Sequence, residues 1–263
     1  MSQHPLDAPL VLENLFFPRK ARPSSGNRSD TFDGMIPVAQ GVILGYRLYA
    51  RDKKFPVTLY FHGNGEIATD FDNIALMYHM AGTSLLVVDY RGYGWSTGEP
   101  RLSTLATDAE VVVQTLSKLL SQHGIENAPL YIKGRSLGSA PAIHAAYKFP
   151  QMFRGLIIES GYADAPSLFR RFGLTISPEL LADDNLPLNN VGKLAHISLP
   201  LLILHGEEDR IIPVTHGRRL YDVATTADKT LEVIHGAGHN NLLTIGMERY
   251  FAAIRDFIAR TLA

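Results

Sequence analysis

The chain has 263 residues and a hydrophobic fraction of 46%, which suits one α/β domain with a substantial core. A net charge of −1 and a charged fraction of 19% give no sign of the excess positive charge that binds nucleic acid or an anionic membrane. The absence of cysteine excludes disulfides, thiolate metal sites and a cysteine nucleophile.

The first 30 residues carry scattered prolines and a polar stretch at residues 19–28. We expect residues 1–30 to form a surface leader that is partly disordered. The first twenty residues lack the pattern of a signal peptide, and no apolar run approaches the ~18 residues of a membrane span. These features predict a cytoplasmic protein with no integral membrane association.

Strand and helix patterns alternate through the remainder, residues 31–263, which we interpret as one domain. Predicted strands cover 42–49, 57–61, 84–89, 130–133, 155–158, 201–205 and 230–234, and predicted helices cover 67–80, 103–122 and 139–147. This alternation predicts a mostly parallel sheet with helices on both faces.

One stretch, at about residues 160–197, interrupts the alternation. It carries short helical patterns at 166–172 and 178–181 and a Leu-Asn stretch at 186–191. About 35 residues are too few for a domain but enough to line a pocket. We expect a small apolar cap that carries Leu168, Phe169, Phe172, Leu174, Ile176, Leu180 and Leu181.

The motif GRSLG at residues 134–138 lies between a predicted strand and a predicted helix. That context predicts a nucleophile elbow, with Ser136 at the tip of a strained turn and its Oγ exposed. The flanking glycines allow strand and helix to approach closely, and the helix N-terminus faces charge that develops at the serine. Arg135 either holds a nearby carboxylate or faces outward, and the sequence leaves both possibilities open.

A serine nucleophile needs a base, and the base needs a carboxylate that orients it. Asp209 and His239 each lie in a loop that follows a predicted strand, and we expect them to fill these roles. His235 is the alternative base. The alternative acids are Glu159, Asp164, Glu207 and Glu208.

An oxyanion hole is predicted from backbone N–H groups beside the elbow. One donor is Leu137, directly after the nucleophile, and the other is Asn64, in the HGNG turn at residues 62–65. His62 either donates in this region or shapes the turn.

Several other polar residues have structural interpretations. We expect Arg91 to bond local carbonyl groups and His205 to pack at the end of its strand. No metal-binding spacing and no dinucleotide fingerprint occurs, so neither a metal nor another cofactor is expected.

Four motifs occur in order: FHGN at 61–64, DYRGYGWS at 89–96, GRSLG at 134–138 and HGEED at 205–209. From about residue 40 onward, the chain resembles the α/β-hydrolase superfamily of serine hydrolases. Within it, the motifs resemble small esterases and thioesterases among the α/β-hydrolase-domain proteins, some of them membrane-tethered depalmitoylating enzymes. The resemblance implies an eight-stranded α/β-hydrolase fold with a small helical cap. Because the sequence shows neither an N-terminal membrane segment nor a cysteine to carry a lipid, we expect the protein to differ from the tethered members.

Together these observations predict a serine hydrolase that cleaves a small-to-medium acyl ester through an acyl-enzyme intermediate. Its partner is a small-molecule acyl substrate, and no nucleic acid is expected. The alternatives are a lipid thioesterase, an aminopeptidase-like hydrolase and a non-catalytic ligand-binding protein on the same fold. The complete set of Ser136, Asp209 and His239 favours catalysis.

Overall fold

A computed structural model describes residues 4–23, 29–166, 169, 177, 179–180, 183, 186 and 188–263. Within them, one sheet contains β1 (Thr31–Ala39), β2 (Val42–Tyr49), β3 (Val57–Phe61), β4 (Ser84–Val88), β5 (Leu130–Arg135), β6 (Gly155–Glu159), β7 (Leu201–Gly206) and β8 (Lys229–Ile234). The strand order is β1-β2-β4-β3-β5-β6-β7-β8. Strand β2 runs antiparallel to both neighbours, and the other neighbouring pairs are parallel. The predicted eight-stranded, mostly parallel sheet is confirmed.

The described helices are α1 (Pro9–Leu15), α2 (Ala75–Met80), α3 (Leu105–Gln122), α4 (Ser139–Lys148), α5 (Asn190–Leu194), α6 (Val214–Val223) and α7 (Leu242–Leu262). Successive strand residues point to opposite faces of the sheet, so Leu59 and Phe61 join one core cluster and Tyr60 joins another. Helices α3 and α4 pack in the first cluster, and α2 and α7 pack in the second. The predicted helices on both faces are confirmed. No helix in the described ranges is long and apolar enough to cross a membrane.

The helix predicted over 67–80 is wrong in its first half. A short 3-10 helix spans Ala68–Phe71, and α2 begins only at Ala75. Two carboxylates bind the backbone N–H groups at the start of this 3-10 helix. Asp70 accepts from Ile67 at 3.1 Å, and Asp89 accepts from Ala68 at 2.8 Å. The chain therefore turns here before the α-helix starts.

The N-terminal residues pack against the domain more closely than a surface leader would. Leu6 and Phe16 are buried in the core cluster of α3 and α4. The carboxylate of Asp7 accepts the N–H of Ser103 at 3.1 Å and its hydroxyl at 2.5 Å. Isolated apolar residues between prolines carry no helical or strand period, which is why the sequence pattern misses this packing.

The stretch that the sequence predicts as a cap, at about residues 160–197, is described only in part. The helical pieces predicted at 166–172 and 178–181 lie largely outside the described residues, as do Leu168, Phe172, Leu174, Ile176 and Leu181. Phe169 is buried, and Leu180 packs against the same core cluster. After residue 188, the side chain of Asn189 accepts the N–H of Gly192 at 2.8 Å and caps α5.

Candidate active site

The residues predicted for the site lie in four loops that follow parallel strands. Asn64 follows β3, Ser136 follows β5, Asp209 follows β7 and His239 follows β8. Parallel strands present their carboxyl ends at one edge of a sheet, so the topology brings these loops together.

Ser136 lies in a left-handed turn between β5 and α4, with φ at 51°. Residues other than glycine rarely adopt this backbone conformation, so the turn is strained. A Cβ atom on Gly134 would overlap the carbonyl oxygen of Gly138, and one on Gly138 would overlap the carbonyl oxygen of Phe61. Both glycines are therefore required by the close approach of strand and helix, as the motif predicts.

Ser136, His239 and Asp209 form a continuous hydrogen-bonded chain. The Nε2 atom of His239 lies 2.9 Å from Ser136 Oγ, and its Nδ1 atom lies 2.7 Å from Asp209 Oδ2. All three residues are buried. In this arrangement the imidazole can accept the hydroxyl proton at one nitrogen while the carboxylate orients the other.

Asp209 is held as a carboxylate by its surroundings. Its Oδ1 atom accepts the N–H groups of Ile211 at 2.9 Å and Ile212 at 2.8 Å. Burial raises the pKa of Asp209, but hydrogen bonds from His205, His239 and the backbone outweigh burial and hold the pKa well below its usual value. The group is therefore charged at neutral pH.

The alternative residues lie in other contacts. The exposed imidazole of His235 pairs with Glu207 at 3.0 Å, and Asp164 pairs with Arg219 at 2.5 Å. Glu208 is exposed. The Nε2 atom of His205 hydrogen bonds with the carbonyl oxygen of Ile212 at 2.8 Å, in agreement with its predicted packing role.

The fourth alternative acid, Glu159, belongs to a buried charge cluster behind the elbow. Its carboxylate accepts from Lys133 at 2.5 Å and from the Tyr250 hydroxyl at 2.7 Å, and it pairs with Arg135 at 3.2 Å. The ammonium of Lys133 also lies 3.6 Å from the ring centre of Tyr60. Sequence reasoning missed this cluster, although a lysine inside an apolar strand was a signal that it needed a partner.

Arg135 connects the elbow to two other loops of the site. Its guanidinium donates to Glu66 at 2.8 Å, to the carbonyl oxygen of His239 at 2.9 Å and to Asn240 Oδ1 at 2.9 Å. Glu66 in turn accepts the backbone N–H of Gly63 at 2.6 Å. The sequence left two possibilities open for Arg135, and the structure shows the first of them, contact with nearby carboxylates.

The predicted oxyanion residues, Asn64 and Leu137, line the same cavity as Ser136. The side-chain oxygen of Asn64 accepts the hydroxyl of Tyr93 at 2.7 Å, which orients the turn. The role of the two backbone N–H groups as an oxyanion hole stays a prediction. His62 is buried under the turn, and its Nδ1 hydrogen bonds with the Gly63 carbonyl oxygen at 2.8 Å. It therefore shapes the turn.

Arg91 binds a carboxylate instead of the local carbonyl groups that we expected. Its guanidinium donates two hydrogen bonds to Asp108 in the first turn of α3, at 2.7 and 2.6 Å. A carboxylate that accepts both N–H groups is a stronger partner than a carbonyl oxygen. Arg91 therefore has a structural role beside the site, because its guanidinium is held by Asp108.

A cavity of about 290 Å³ lies beside Ser136 and His239. Its apolar lining among the described residues is Leu15, Phe17, Leu102, Leu137, Tyr162, Phe169, Ile211 and Ile212. Phe169 comes from the stretch predicted as a cap, whereas Leu15 and Phe17 come from the N-terminal residues. That this stretch forms a cap stays a prediction. In the described ranges, no group of three or more histidine or carboxylate side chains is arranged to hold a metal ion.

The fold and the site define an α/β-hydrolase. The chain matches the model of the serine aminopeptidase S33 hydrolases over residues 53–182 and 189–244. Because this match covers well over half of the chain, the chain belongs to that family. The resemblance drawn from the four motifs is confirmed.

The chain is also similar to curated relatives and, in its fold, to a solved structure. Protein ABHD12B of Homo sapiens is 29% identical over 227 residues, which cover 78% of this chain and 61% of the relative. Uncharacterized membrane protein YNL320W of Saccharomyces cerevisiae is 34% identical over 194 residues, 70% of this chain and 64% of the relative. The chain thus spans less than two thirds of the length of these two relatives. The esterase Pf2001 of Pyrococcus furiosus shares the fold, with a TM-score of 0.73 and 17% identity over 92% of this chain and 98% of that one.

Proposed function

We propose that this protein is a serine hydrolase that cleaves a small-to-medium acyl ester through an acyl-enzyme intermediate. The observation that carries the proposal is the hydrogen-bonded chain from Asp209 through His239 to Ser136 Oγ. The apolar cavity beside that oxygen supports an acyl substrate.

In the proposed acylation, Ser136 Oγ attacks the acyl carbon while His239 Nε2 takes the hydroxyl proton. The negative oxygen of the tetrahedral intermediate accepts from the backbone N–H groups of Leu137 and Asn64. As the intermediate collapses, His239 returns the proton to the leaving alcohol and the acyl group stays on Ser136.

In the proposed deacylation, His239 removes a proton from water as the water attacks the acyl-enzyme. The second tetrahedral intermediate releases the carboxylic acid, and the proton returns to Ser136 Oγ. The charge of Asp209 stabilises the imidazolium in both halves of the reaction, because the two side chains are 2.7 Å apart.

The size of the cavity favours short acyl chains. Its volume of about 290 Å³ is at the small end of pockets that bind small molecules, which begin at about 300 Å³. Each methylene that fits gains up to ~0.8 kcal/mol, and a chain longer than the cavity gains nothing more. We therefore infer a preference for esters of roughly two to eight acyl carbons.

The name of the matched family favours aminopeptidase activity as a second candidate. An aminopeptidase must bind the charged α-amino group of a peptide, which calls for a carboxylate in the pocket. The cavity lining supplied by the described residues has no aspartate or glutamate. The apolar side chains of that lining suit an acyl chain, so the ester stays the first candidate.

A chain-length series of p-nitrophenyl esters from acetate to palmitate tests the proposal, with an amino-acid p-nitroanilide in parallel. We expect a maximum of kcat/KM at roughly two to eight carbons that chelator does not change. A maximum at about sixteen carbons would favour the lipid thioesterase. Turnover of the anilide alone would favour the aminopeptidase, and loss of activity in chelator would contradict a metal-free mechanism.

A further inference from the structure

The N-terminal segment, defined here as residues 15–19, lies against the site although it precedes the part of the chain that matches the family model. Leu15 and Phe17 line the cavity beside Ser136. Phe17 remains 59% exposed, which places its side chain at the rim of the cavity.

Hydrogen bonds join the backbone of this segment to the turn that carries Asn64. The N–H of Phe17 is shared between Asn64 Oδ1 at 3.0 Å and the Tyr93 hydroxyl oxygen at 2.9 Å. The Tyr93 hydroxyl itself donates to Asn64 Oδ1 at 2.7 Å. Burial raises the pKa of Tyr93 to about 12, so this hydroxyl keeps its proton at neutral pH. Asn64 is thus oriented by the segment and by Tyr93 together.

Further contacts hold the segment against this turn, against Asp70 and against the loop that carries Tyr93. The guanidinium of Arg19 donates to the carbonyl oxygen of Gly65 at 3.1 Å and to Asp70 at 2.6 Å. The N–H of Gly94 donates to the Arg19 carbonyl oxygen at 2.8 Å, and the N–H of Ala21 donates to the Gly94 carbonyl oxygen at 3.1 Å. The segment therefore forms an ordered wall of the site.

We propose that Phe17 determines acyl-chain specificity and that the N–H of Phe17, together with the hydroxyl of Tyr93, positions the turn of Asn64. This inference rests on the proposed ester hydrolysis. An acetyl group ends close to Ser136, whereas a longer acyl chain reaches the rim where Phe17 lies. The ring of Phe17 therefore contacts long chains more than short ones.

The first test measures kcat and KM of Phe17→Ala and Phe17→Leu on p-nitrophenyl acetate, butyrate, hexanoate and octanoate. We expect the ratio of kcat/KM for octanoate to that for acetate to fall about tenfold in Phe17→Ala. The fall should come from a higher KM for octanoate. The decrease is smaller in Phe17→Leu, which keeps part of the apolar surface. Met80→Ala is the matched control, because Met80 is 67% exposed on α2 and lies outside the cavity lining.

An unchanged ratio in folded Phe17 variants would overturn the specificity role. If fluorophosphonate still labelled Ser136 in those variants, the proposed function would stand while this inference failed. If the wild-type protein neither turned over esters nor reacted with the probe, the proposed function itself would fail. Should Phe17→Ala not fold, the ratio of kcat/KM for octanoate to that for acetate in Phe17→Leu tests the specificity role in the same way.

Tyr93→Phe tests the positioning role, because it removes the hydroxyl and keeps the ring. We expect kcat to fall about tenfold at each chain length, with the ratio of octanoate to acetate unchanged. A merely structural role would lower the unfolding temperature and leave kcat of the folded protein as it was. An unchanged kcat would therefore overturn the positioning role.

Discussion

The guanidinium of Arg135 donates a hydrogen bond to the main-chain carbonyl oxygen of His239, at a distance of 2.9 Å. The residue directly before the proposed nucleophile thus holds the loop of the proposed base. The same guanidinium pairs with Glu66, which accepts the N–H of Gly63 in the turn that carries Asn64. Loops that follow three different strands are held by one side chain, so we assign Arg135 a positioning role.

Arg135→Gln is expected to lower kcat about 10²-fold with a much smaller change in KM, since a displacement of about 1 Å at the reacting groups has an effect of this size. Arg135→Lys keeps the charge but not the planar fork, and should recover part of the rate. Steady-state kinetics on a butyrate ester measure both variants. Arg219→Gln, at an exposed ion pair, is the control. An unchanged kcat in folded Arg135→Gln would contradict the positioning role.

Ser136→Ala is expected to lower kcat by a factor on the order of 10⁴ to 10⁶, because nucleophile and base act as a unit. For the same reason, adding His239→Ala to Ser136→Ala should cause little further loss. The measurement is ester turnover by purified protein at high enzyme concentration. If the kcat of Ser136→Ala stayed within about tenfold of the wild-type value, Ser136 would be excluded as the nucleophile.

Asp209→Asn is expected to keep the fold and lose about 10⁴-fold in kcat, because an amide favours the wrong imidazole tautomer. Asp164→Asn is the matched control, since its carboxylate pairs with Arg219 at the surface. Circular dichroism and ester kinetics compare the two variants. The reverse pattern, with Asp164→Asn inactive and Asp209→Asn active, would reassign the acid.

Glu159 is expected to make stability sensitive to acid. Burial raises the pKa of its carboxyl, but Lys133 and Arg135 outweigh burial and lower it to about 2. A pKa below the unfolded value of ~4.3 means that the ionised group stabilises the fold above that pH. This stabilisation is lost as pH falls from about 4 through 2.

Glu159→Gln leaves Lys133 buried without its carboxylate and should lower the free energy of unfolding by about 3–5 kcal/mol at neutral pH. Urea unfolding at several pH values should show the difference from wild type narrowing below about pH 4. Glu207→Gln, at an exposed carboxylate, is the control. A difference that stayed constant down to pH 2 would contradict the assigned ionisation of Glu159.

Much of the fold was predictable because the central strands are continuous apolar runs, such as β7 at Leu201–Gly206. Strand β1 was not predicted individually, because its sequence TFDGMIPVA contains a glycine and a proline that obscure the alternation. The packing of Phe16 was missed for a related reason. A single buried residue directly after a short helix has no period of its own to detect.

The candidate triad was predictable because Ser136, Asp209 and His239 each follow a strand in a fixed chain order. The role of Arg135 was left open, because its partners come from loops distant in sequence. Which carboxylates lie beside Arg135 depends on the order of the strands in the folded sheet. The pairing of Arg91 with Asp108 was missed for the same reason.

Covalent labelling shows whether Ser136 is the nucleophile. Purified protein is treated with a fluorophosphonate, weighed intact by mass spectrometry and digested for peptide mapping. We expect one adduct, located on Ser136, absent in Ser136→Ala and formed far more slowly in Asp209→Asn, because phosphonylation uses the same base. An adduct on another residue, with Ser136 unmodified, would show that Ser136 is not the nucleophile.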